Sequence, residues 1–210
     1  MRQVFRAFTF AAVTSLSSAC SILPQAEPAD VYRLPSANNM APAPHNASMP
    51  WSLRLNKPKA SEVLDSPKIA VVPQGDLISS YKGARWSDPA PVLLRNRMLD
   101  AFQRDGRVQL LSTDDSNLQA DYELGGELQA FQSEYTAQGV QVVIRLDARL
   151  VRDTTQRILA SRRFEIRQPV TDTQVPSVVA GFGQASDKLL AQVLEWTLAQ
   201  GQLQAQPKNQ

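Results

Sequence analysis

The chain has 210 residues, with 22 Lys and Arg against 20 Asp and Glu, and a single Cys and a single His. A leader holding Arg2 and Arg6 accounts for the excess, so the remainder is formally neutral. That excludes a broad basic surface for nucleic acid or acidic lipid. One Cys and one His also leave Cys/His nucleophilic catalysis and the common zinc sites without ligands, no phosphate-binding loop is present, and no cofactor is expected. The chain is not expected to be an enzyme, and stability must come from packing rather than disulfides.

The N-terminus opens with Arg2 and Arg6, followed by an apolar stretch, Ala7 to Leu16, that is too short to span a bilayer. Ser17-Ser18-Ala19-Cys20 then resembles the bacterial lipobox, in which Leu, a small residue and Ala or Gly precede a modified Cys; here Ser17 stands in the Leu position and Leu16 one place before it. Lipid attachment at Cys20 is therefore expected, with residues 1–19 as the leader. An ordinary secretory signal is the alternative, but it would leave an odd thiol in an exported protein. The resemblance implies an outer-membrane lipoprotein facing the periplasm, because Ser21 replaces the retention residue Asp.

Residues 20–50 read as a tether rich in Pro, Ala, Asn and Ser, with strand character only at Val31 to Leu34. Pro42 and Pro44 stiffen it, and His45 is a solvated linker residue. The folded domain is expected over 51–200. Trp51 to Leu55 alternates as a half-buried strand, and Lys68 to Pro73 reads as a more buried one.

A polar connection from Gln74 to Pro91 carries Tyr81, Arg85 and Trp86, and Ser87-Asp88-Pro89 offers caps for a helix built on Val92, Leu93, Met98, Leu99 and Phe102. Arg95 and Arg97 fall mostly on other faces, and Gly106 is the stop. A tyrosine and a tryptophan in a polar loop can anchor a partner, or they can fold back onto the core.

A short strand is expected at Arg107 to Leu111, then a polar loop with a solvated Asp114-Asp115 pair. From Tyr122 to Ile166 three segments alternate apolar and polar residues, most clearly Val140 to Leu150, and short connections make them an antiparallel meander. The apolar parity switches at Phe131, which predicts a bulge or the strand's end. Pro169 ends the meander. An amphipathic helix follows from about Val175 to Gln200, with Gly181 and Gly183 placed for close packing, and 201–210 is a Gln-rich tail. The fold class is α/β: one sandwich domain with a mixed sheet ending in an antiparallel meander, packed by two main helices.

Together these segments resemble the ABC-type transport auxiliary lipoproteins, the family that includes the paraquat-inducible lipoproteins of Mce-type lipid transport. The resemblance rests on Tyr32-Arg33-Leu34, Ile69 to Pro73, Tyr81 with Arg85 to Pro91, Leu128 to Phe131, Arg145 to Val151, Arg162-Arg163-Phe164 and the long helix carrying Trp196. It implies an outer-membrane-anchored docking component of a lipid or hydrophobic-compound transporter. The partners implied are an Mce-domain protein, an inner-membrane permease and an ATPase. A lipid-binding carrier and a structural envelope-assembly lipoprotein are the rival readings, and homo-oligomers are compatible with all three.

Overall fold

The computed structural model describes residues 28–36, 48–116 and 118–205. The leader, Cys20 and His45 lie outside the described residues. Eleven principal elements follow in chain order: strands β1 (Asp30–Tyr32), β2 (Leu53–Leu55), β3 (Lys59–Ala60), β4 (Lys68–Gln74) and β5 (Leu77–Trp86), helix α1 (Ala90–Asp105), strands β6 (Leu111–Thr113), β7 (Tyr122–Thr136), β8 (Gly139–Arg152) and β9 (Arg157–Pro169), and helix α2 (Val175–Ala205).

The strand β7 organises a curled mixed sheet. One edge pairs antiparallel with β8 along its whole length, from Tyr122 opposite Arg152 to Thr136 opposite Gly139. Its other edge is shared in succession by β2, β3 and β4, all parallel to it. Outward from β4 come β5 and then β1; outward from β2 comes β6, and β9 completes the meander beside β8. The mixed sheet, its closing meander and the two helices expected from the sequence are all present. The parity switch has its cause in a register shift between Leu128 and Ala130, which puts Leu128 opposite Leu146 and Phe131 opposite Ile144. At Gly126 the backbone has φ +140°, and a Cβ there would lie 1.9 Å from the Asp147 carbonyl oxygen, so only glycine fits this seam.

Both helices cover one face of the sheet, α2 lying on β8 and β9 with α1 beside it. The face they cover holds Val142, Ile144, Leu146, Phe164, Val178, Phe182, Leu189 and Val193 in one buried cluster. Gly181 lets α2 approach Val142 of β8, and Gly183 sits against Pro35.

Several expectations are corrected. The segment from Gln74 to Pro91 is mostly strand, because β5 folds back on β4 as a hairpin. Asp30–Tyr32 joins the sheet parallel to β5, so ordered pairing starts ahead of Trp51. The strand expected at Arg107 to Leu111 is displaced to Leu111–Thr113. Pro89, without a side-chain bond, stands at the start of α1 in place of a Ser or Asp cap, while Gly106 does end it with a left-handed turn, its N–H donating to Phe102 O at 3.1 Å. The second helix continues past Gln200 to Ala205, with Gly201 buried against Trp51.

Arg95 and Arg97 are buried rather than solvated. Arg95 pairs with Asp114 and Asp115, each at 2.6 Å, and Arg97 pairs with Asp187 of α2. The acidic pair is therefore engaged with Arg95 and not simply solvated. Burial works against the charge on Asp114, but the Arg95 guanidinium and the Lys57 N–H outweigh it and hold the carboxyl below its usual range.

Candidate functional site

Strand alternation separates the candidates on β5. Trp86 points inward and is fully buried, its ring edge-on to Phe182 at 5.2 Å and to Phe131 at 6.0 Å, while Phe131 and Phe182 stack at 4.7 Å. This ring is core and offers no surface to a partner, so the core alternative describes it. Tyr81 is half-buried on the same side, with its hydroxyl 3.0 Å from Ser133 Oγ. Burial raises its phenol pKa, with the Ser133 bond opposing. Arg85 faces the opposite way and is exposed; its one hydrogen bond among the described residues is a long one, 3.4 Å, to the Trp86 carbonyl.

On that outer face, strand register assembles residues far apart in sequence. Lys68 of β4 lies directly opposite Arg85 of β5, and Arg85 lies opposite Val31 of β1. Arg33 follows two residues after Val31, and Lys82 occupies an irregular stretch of β5 beside Gly83, where φ is +66°. Among the described residues no carboxylate forms an ion pair with Arg33, Lys68, Lys82 or Arg85. A hollow of about 360 Å³ opens next to Lys68, walled by Glu62, Val63, Ser66, Ile78 and Ser80. Ile78 also borders a second hollow of about 440 Å³ beside Asp76, Glu134 and Tyr135.

The rest of the outer face is different in kind. Across β7, β8 and β9, Arg149 pairs with Glu127 at 2.7 Å, Arg163 grips Asp147 at 2.6 and 2.7 Å, and Arg145 meets Glu165 at 2.6 Å. Arg167 bridges Glu165 and Glu134. Here basic groups meet carboxylates across the strands. The sequence singled out Tyr81, Arg85 and Trp86 but missed Lys68 and Arg33, because only the register brings them beside Arg85, and it passed over Lys82, which is three residues along the same strand.

Other charge clusters knit elements together. Arg54 of β2 joins Glu123 of β7 and Asp153 beyond β8, and Arg107 joins Asp105 to Glu195 of α2. Among the described residues no group of His, Cys, Asp and Glu is placed to hold a metal ion. What the site offers chemically is recognition: cations without carboxylate partners among the described residues, serine hydroxyls and aliphatic side chains on one surface.

The model of the ABC-type transport auxiliary lipoprotein component matches residues 32–194, from β1 through most of α2. The chain belongs to this family. A Xanthomonas campestris protein of the DUF330 family has a crystal structure similar to it, with 30% sequence identity, a TM-score of 0.78, and 85% of this chain and 100% of that one covered. A second solved structure at 15% identity shares the fold, with a TM-score of 0.62 over 81% of this chain and 99% of that one. A Bradyrhizobium diazoefficiens protein is 29% identical over 168 residues, 80% of this chain, and the chain spans 44% of that relative's length. The family is described as an auxiliary lipoprotein component of ABC-type transport.

Proposed function

We propose that the protein is lipidated at Cys20, is held on the periplasmic side of the outer membrane, and docks the outer end of an Mce-type conduit for lipids or other hydrophobic compounds. Its partners in this reading are an Mce-domain protein, a permease and an ATPase. Apolar cargo cannot cross an aqueous compartment unaided, and a docking module on the receiving membrane raises the conduit's local concentration there.

The observation carrying this reading is the pairing of β1 with β5. Asp30 is ten residues from Cys20, so a fully extended connection reaches at most about 35 Å, and a lipid at Cys20 would keep the body close to its membrane. The filled interior favours docking over carrying, since the Trp86, Phe131 and Phe182 rings occupy the space between sheet and helix.

Cys20→Ala tests it. The altered protein should leave the membrane fraction, lose recovery of the Mce-domain protein from cross-linked envelopes, and support transport poorly. Full transport by a released, soluble protein would overturn the docking role.

A further inference from the structure

We propose that the outer face of β1, β5 and β4 is a second membrane contact, which lies against the anionic phospholipid headgroups of the membrane that holds the N-terminus. The inference deepens the anchoring reading and rests on it.

Charge provides the first reason. Like charges directly opposite one another weaken a sheet, yet Lys68 and Arg85 face each other with Arg33 and Lys82 nearby and no acidic partner among the described residues. The same face of β7, β8 and β9 neutralises its arginines one by one. Overall neutrality thus hides a local imbalance, which is why composition alone argues against an acidic-lipid surface. Glu62 on the hollow's wall, Asp76 at the hairpin tip, Asp30 of β1, Asp88 just past β5 and Glu134 beside the second hollow are the nearby counter-charges, and none of them forms an ion pair with the four cations.

Apolar exposure is the second reason. Nine large apolar side chains are exposed among the described residues, and three of them, Val31, Val63 and Ile78, are on this face or around the Lys68 hollow. Cations mixed with aliphatic side chains suit a bilayer interface: ammonium and guanidinium groups meet phosphates while the aliphatic groups enter the headgroup boundary. Position is the third. Strand β1 is the first described element after Cys20, and its Val31 is part of the patch, so the tether delivers this face to the bilayer. A tethered surface needs only weak intrinsic affinity to stay engaged.

The test uses the chain from residue 20 onward with Cys20→Ser, which carries no acyl group, floated with vesicles of phosphatidylcholine alone or mixed with phosphatidylglycerol. Binding should require phosphatidylglycerol and fall at high salt. Each of Lys68→Gln, Lys82→Gln and Arg85→Gln should weaken it about fivefold, and the triple variant about a hundredfold. Arg157→Gln with Arg162→Gln on β9 should change it less than about twofold. Equal binding to both vesicle types, or a triple variant that binds as wild type, would overturn the patch, as would capture of an acidic protein by this face with vesicles ignored. Mass spectrometry of Cys20 in envelope-purified wild type reads the anchor separately. An unmodified Cys20 with intact vesicle binding removes the anchor and leaves the patch; an acylated Cys20 without charge-dependent binding does the reverse.

Discussion

At the scale of single residues, adjacent positions on β5 have opposite duties. Trp86 fills the core between the sheet and α2, so Trp86→Ala should cost about 3–5 kcal/mol in urea unfolding, whereas Arg85→Gln, which removes an exposed cation with no ion pair among the described residues, should stay within about 0.5 kcal/mol. If the two variants lose stability equally, the inward and outward assignment is wrong. A Tyr, an Arg and a Trp read as one binding loop in sequence because nothing in Leu77 to Trp86 alternates cleanly. Two serines, a lysine and Gly83 interrupt the pattern, and an irregular register with β4 follows. Once the segment is a strand, alternation decides which side chain can meet a partner.

Elements differ in how plainly the sequence announces them, and the reason is burial. The strands β7, β8 and β9 and the helix α2 press a continuous apolar face on the core, so their periodicity is legible, bulge included. The short strands do so less well: β1 and β6 are read only with shifted bounds, at Val31 to Leu34 and Arg107 to Leu111, and β3 not at all, because two or three residues at a sheet edge or on part of β7's edge cannot display a period. The candidate site suffers most, since Lys68, Arg85 and Arg33 are joined by register alone. The same hierarchy governs local stability. Amide hydrogen exchange should be slowest along Tyr122–Thr136, which is paired on both edges, and fastest in Asp30–Tyr32, which is paired on one. Protection of β1 matching that of β7 would mean something further covers the β1 edge.

The whole molecule is bound together by carboxylates held in charged form. The N–H and hydroxyl of Ser52 lower the pKa of Asp121, Arg163 that of Asp147 and Arg145 that of Glu165, while Arg95 and the Lys57 N–H prevail over burial at Asp114. A carboxylate whose pKa is depressed by folding adds stability in full above its unfolded value, near 4, and loses it as pH falls through the lower folded value. Thermal unfolding midpoints should therefore be nearly flat between about pH 7 and 5 and drop below about pH 4. A midpoint that climbs on acidification from about pH 4 to 3 would contradict these pairings. The long strand β7 has one more consequence, and it concerns time. Strands β2, β3 and β4 all lie along a segment that begins at Tyr122, so a chain emerging N-terminus first must present more than half its length before β7 can join them into one sheet. Until then the leading half has only the β4–β5 hairpin with β1 beside it and the β2–β6 pair, without the strand that unites them, and a chain in that state is still loose enough to be threaded across a membrane.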